Sequence, residues 1–138
     1  GATISRMLRH GLEIYYVAFS SCEDSLPQGF ARGTLVKELY RATSSLGIKR
    51  ENVRVLDFRV RYFGDHRQDI LESMVALARE IDPDVVFSPS IHDIHQDHVT
   101  VATECLRAFK KKTILHNAQR AADAYPVPCW HPSYGPDS

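Results

Sequence analysis

Asp84-Val85-Val86-Phe87-Ser88, closed by Pro89, is an apolar run of strand length. A short run of this kind, bounded by breakers, is the pattern of a strand covered on both faces. On its N-terminal side Ile70, Leu71, Met74, Leu77, Ala78 and Ile81 recur at helical spacing, and Asp82-Pro83 ends that helix. On its C-terminal side Val99, Ala102, Cys105, Leu106 and Phe109 define another helix, followed by Thr113-Ile114-Leu115 as a short last strand. The order around residue 84 is therefore helix, strand, helix, strand.

The same alternation continues toward the N-terminus. Val53 to Phe58 reads as a strand, and Leu35, Leu39, Ala42 and Leu46 as an amphipathic helix stopped by Gly47. Ile14 to Phe19 is a second apolar run, and Ile4, Met7 and Leu8 give an opening helix that ends at Gly11. Strands that alternate with helices of ten to fifteen residues specify a mainly parallel sheet with helices on both faces. The expected fold is thus α/β, a three-layer α/β/α Rossmann-like sandwich, with strands near residues 14–19, 53–57 and 84–88. Residues 1–116 form one domain in this reading, and 117–138, with four prolines from Pro126 to Pro136, form an irregular tail.

Composition narrows the function. The 138 residues carry 17 Lys+Arg against 17 Asp+Glu, so no field of one sign is available to hold a phosphate backbone or an anionic membrane. Lys110, Lys111 and Lys112 close a helix, where cations offset the macrodipole. No apolar run reaches the ~20 residues of a membrane span. Cys22, Cys105 and Cys129 are an odd number without CxxC spacing, which points to a reducing, cytoplasmic setting.

In a parallel sheet of this kind ligands bind beyond the carboxyl ends of the strands. The segment that follows the residue 84–88 strand is His92-Asp93-Ile94-His95-Gln96-Asp97-His98, five of whose seven residues are His or Asp. Any one of them reads most simply as a solvated side chain or a helix cap. Together, imidazoles with neighbouring carboxylates are the groups of a metal or acid–base site.

Asp93-x-His95-Gln96-Asp97-His98 resembles the second signature of the PIG-L/LmbE family of metal-dependent N-deacetylases. Val17-Ala18-Phe19-Ser20, Glu38 with Ala42 and Leu46-Gly47, Arg61 with Phe63, Arg67-Gln68 with Ile70, and Pro83 to Phe87 resemble further landmarks in the same order. The resemblance covers roughly residues 2–116. It implies hydrolysis of an acetamido group on an N-acetylated, sugar-like small molecule by a zinc-bound water; that neither nucleic acid nor membrane is a partner is the expectation from the charge balance and the lack of a long apolar run. It further implies His98 and Asp93 as metal residues, and His95 acting on the tetrahedral intermediate and leaving amine. Asp97 would orient or tune a histidine, and Arg61 and Glu38 would face the substrate. For Arg61 a solvent-facing loop arginine, and for Glu38 an ordinary helix-surface charge beside Lys37 and Arg41, remain open alternatives.

The first signature of the family, a His-Pro-Asp-Asp-Glu type segment that supplies two ligands and the general base, has no counterpart in these residues. His131-Pro132 is followed by Ser133 and does not supply it. The family's first strand is therefore expected to be absent, the isolated chain to be weakly active or inactive, and self-association or the tail to cover the exposed strand edges. The alternative is a non-catalytic relic or interaction module that keeps the fold.

Overall fold

A strand persists only where a neighbour pairs with it, and the apolar runs are longer than their pairing. In the computed structural model, which describes residues 2–117, the run from Ile14 narrows to β1 (Tyr16–Ala18) and the run from Val53 to β2 (Val53–Val55). These strands are parallel, with Tyr16 opposite Val53 and Ala18 opposite Val55. The second pair, β3 (Val85–Pro89) and β4 (Thr113–Asn117), is also parallel, from Val85 opposite Thr113 to Pro89 opposite Asn117. Four helices accompany them: α1 (Ala2–Arg9), α2 (Thr34–Leu46), α3 (Arg67–Ile81) and α4 (Gln96–Ala108).

The described residues fall into two compact units, 2–57 and 58–117. The first contains α1 and the strand–helix–strand unit β1-α2-β2, with Ala18, Phe19, Ile48 and Val53 buried. Gly47 ends α2 at φ 91°, a left-handed conformation that lets its N–H bond the Ser44 carbonyl at 2.9 Å. The second contains α3 and the strand–helix–strand unit β3-α4-β4. There α3 packs on α4, and Phe63, Ile70, Met74, Val101, Ala102 and Cys105 are buried.

The structure is accordingly an α/β arrangement of helices and short parallel strands, as the alternation requires. One expectation is corrected. Among the described residues β3 is not covered on both faces: Ser88 is buried, whereas Val85, Phe87 and Leu115 are exposed, Phe87 to 55%. Successive side chains alternate across a strand, and the parallel register sets Phe87 beside Leu115 on one face. α4 packs on β3 and Ser88 is buried, which places Ser88 on the covered face. The tail expected for residues 117–138 lies outside the described residues, apart from Asn117, which ends β4. Among the described residues no helix is long and apolar enough to cross a membrane.

Candidate active site

The first periodic apolar residue of the fourth helix is Val99, yet α4 begins three residues earlier, at Gln96. The cause is His95. Its Nδ1 accepts the backbone N–H of Asp97 at 3.2 Å, the bond that Ser, Thr, Asp or Asn ordinarily supplies at an N-cap. Asp97 and His98 therefore sit in the first turn of a helix rather than in a loop, and both are buried.

Asp93 holds this turn from the preceding loop. Its Oδ1 accepts the backbone N–H of His95 at 2.8 Å, and its Oδ2 lies 2.9 Å from His98 Nδ1. Burial pushes the Asp93 carboxyl up, but the hydrogen bonds from His95 N–H and His98, with the charges of both histidines, outweigh it and hold the group below its ordinary 3.8. The rings of His95 and His98 are 4.8 Å apart between centroids and tilted by 33°.

These partners assign the ring protons. A carboxylate only accepts, so His98 carries its proton on Nδ1 and keeps a lone pair on Nε2. His95 accepts at Nδ1, so in its neutral form its proton is on Nε2. In their neutral forms the two adjacent imidazoles thus have opposite character at Nε2, an acceptor on His98 and a hydrogen-bond donor on His95.

Arg61 is drawn to the same turn by its backbone. Its N–H donates to Asp97 Oδ2 at 2.6 Å, its carbonyl accepts from Gln96 Nε2 at 3.0 Å, and the N–H of buried Phe63 reaches Asp97 Oδ1 at 3.4 Å. Arg61 has φ 73°, in the left-handed region, and its side chain is exposed. Asp97, expected to tune a histidine, touches His95 through its N–H while its carboxylate holds the Arg61 loop.

Arg61, Asp93, His95, Asp97 and His98 are hence brought together in one unit. His92 stands exposed beside them, with its N–H on Ser90 Oγ. Glu38 is half-buried on α2, in the other unit. Burial pushes the Cys105 thiol up, against the opposing hydrogen bond with Ser88, so this cysteine packs as a small apolar group.

The PIG-L family, described as GlcNAc-PI de-N-acetylase, matches residues 1–109. The chain belongs to the PIG-L family. The fold is also that of the conserved protein TT1542 from Thermus thermophilus, at a TM-score of 0.63 and 20% sequence identity. That likeness covers 86% of this chain and 54% of the other, so the PIG-L chain spans little more than half the length of its structural neighbour. No curated protein matches it.

PIG-L proteins are generally metal-dependent. A catalytic zinc takes three protein ligands. Among the described residues no group of three or more His, Cys, Asp or Glu side chains is disposed to hold an ion, and both oxygens of Asp93 are already engaged by the His95 N–H and the His98 ring. The described residues do not by themselves fit a complete metal site.

One participant in the site and one buried carboxylate outside it had no assigned role from sequence. Gln96 lies within the signature, but no role for it is legible until its amide is seen on the Arg61 carbonyl. Glu104, outside the site, is fully buried and bonded to Arg67 and Arg107; its signal was a carboxylate among the apolar positions Val101 and Cys105 of α4, with Arg107 one turn on.

Proposed function

We propose that this chain is the part of an N-deacetylase that handles the acetamido group of an amino-sugar-like substrate. Family membership supports the reaction class. The observation that supports the assignment to these residues is the pair of adjacent imidazoles with opposite Nε2 character, His95 as hydrogen-bond donor and His98 as acceptor.

Hydrolysis of an acetamide breaks the carbonyl C–N bond, joins a water oxygen to the carbonyl carbon and delivers a proton to the departing nitrogen, giving acetate and an amine. The amine leaves only when protonated; the attacking water supplies that proton, and in this reading neutral His95 offers its Nε2–H as a hydrogen bond to the tetrahedral intermediate and the departing nitrogen. Asp93 fixes the His98 tautomer and steadies the His95 main chain through its N–H, while the Asp97 N–H on Nδ1 orients the His95 ring. Arg61 offers a planar fork of donors to a substrate hydroxyl or anionic group, and Glu38 is assigned to the substrate by family position alone. Zinc is the cofactor in this reading, with His98 as one ligand and the remaining ligands outside the described residues.

The test uses the full-length protein with N-acetylglucosamine and its glycosides as probes, following acetate release and zinc content together. Release of acetate by the wild type, with loss of both acetate release and bound zinc in His98→Ala, is the expected result. A wild-type protein that binds no zinc and releases no acetate overturns the reading and favours a non-catalytic module.

A further inference from the structure

Left-handed backbone is disfavoured for any residue with a Cβ, and positions that need it are ordinarily given to Gly, Asn or Asp. Arg61 occupies it at φ 73°. Both of its main-chain polar groups are held by consecutive residues of one helical turn: its N–H by the Asp97 carboxylate and its C=O by the Gln96 amide. Asp97 is only 1% exposed, and its second oxygen takes the N–H of Phe63, whose side chain is fully buried. The loop is thereby fixed at residues 61 and 63, and strained backbone of this kind persists only where its surroundings over-determine it.

We infer that Asp97, assisted by Gln96, is a positioning residue that clamps the Arg61 peptide and so sets where the Arg61 guanidinium stands relative to His95 and His98. This rests on the deacetylase reading of the site and extends it. The imidazoles occupy the turn that begins α4, and the same turn grips the arginine, so the reacting groups and the substrate-gripping group share one rigid support. A guanidinium on a long side chain has many rotamers; fixing its Cα and peptide plane limits the region it samples.

The inference separates from a general structural role because it acts on substrate through Arg61 alone. In full-length protein, with N-acetylglucosamine as probe, Asp97→Ala and Arg61→Ala are each expected to raise KM about tenfold with kcat changed less than about threefold. The double variant should be no worse than Arg61→Ala. Asp97→Asn should recover part of the loss, since it keeps one acceptor but turns an NH2 group toward the other N–H. If Asp97→Ala does not fold, Gln96→Ala, which removes only the carbonyl contact at an exposed residue, should shift KM in the same direction by less.

Amide exchange at Arg61 and Phe63, and relaxation of the Arg61 Nε–H, give a readout independent of turnover. Both are expected to quicken in Asp97→Asn while amides beyond the first turn of α4 stay protected. A fall in kcat at unchanged KM, or additive losses in the double variant, would place the action of Asp97 on the histidines and overturn the inference. Should the wild type release no acetate, the deacetylase reading fails by itself, and unchanged Arg61 dynamics in Asp97→Asn would then overturn the clamp separately.

Discussion

Asp93 Oδ2 and His98 Nδ1 lie 2.9 Å apart with their side chains 9% and 2% exposed, so a carboxylate and an imidazole share a nearly dry contact. A charged partner makes such a bond worth roughly 1.5–3 kcal/mol, and that range is the expected cost of Asp93→Ala. The Asp93 carboxyl is held below 3.8, so between its folded value and 3.8 the unfolded chain binds more protons than the folded one. The contribution is therefore fully present above 3.8 and is lost as pH falls through the lower, folded value. Chemical denaturation of wild type and Asp93→Asn from pH 6 down to about pH 2.5 checks this. The stability gap should narrow only below about pH 4, and a gap that stays constant throughout would contradict the assignment.

Gly47 ends α2 at φ 91°, and a Cβ there would meet Leu8 Cδ1 at 3.4 Å. The contact is tolerable, but the conformation is not one that alanine adopts readily. Gly47→Ala is expected to cost about 1 kcal/mol, read as a lower urea midpoint at unchanged slope. Ser45→Ala, on the exposed side of the same turn, should cost less than about half of that.

This helix stop was legible in the sequence because glycine is nearly the sole residue suited to it, and the 3.6-residue periodicity of α2 and α3 was equally plain. Strand ends were not. Val53 to Phe58 looks uniformly strand-like, but β2 pairs only through Val55 because β1 offers it Tyr16 to Ala18 and no more. The site divides in the same way. The concentration of His and Asp at residues 92–98 marked it, whereas the bond from Arg61 to Asp97 joins residues 36 apart and exists only once the chain has folded. The early start of α4 was hidden for a chemical reason: histidine is not a usual N-cap, and buried Asp97 and His98 break the apolar pattern that announces a helix.

Glu104 is completely buried and accepts from Arg67 Nε at 2.9 Å and Arg107 at 2.7 Å, while each arginine is 53% exposed. Either guanidinium can return to water when the carboxylate is removed; the carboxylate cannot do so when the guanidinia are removed. Arg67→Ala and Arg107→Ala are expected to cost about 1 kcal/mol each, because the remaining arginine still answers the charge. The double variant strands a buried carboxylate and should exceed the sum by roughly 1–2 kcal/mol. Additive losses in a denaturant-unfolding cycle would show that the two arginines act independently of Glu104.

The strain at Arg61 can be measured apart from its side chain. Left-handed backbone costs a residue with a Cβ roughly 1–2 kcal/mol, whereas glycine accepts it freely but loses about 0.5–1 kcal/mol more conformational entropy on folding. Arg61→Ala removes the guanidinium and keeps the strain; Arg61→Gly removes both. Arg61→Gly should accordingly unfold at a temperature up to a few degrees above that of Arg61→Ala, with the 2.6 Å bond to Asp97 retained because it is made by the backbone. Both variants should handle an N-acetylated sugar equally poorly, since both lack the fork of donors. Equal unfolding temperatures would mean that φ 73° at residue 61 carries no cost, and the clamp by Gln96 and Asp97 would then be holding a loop that needs no holding.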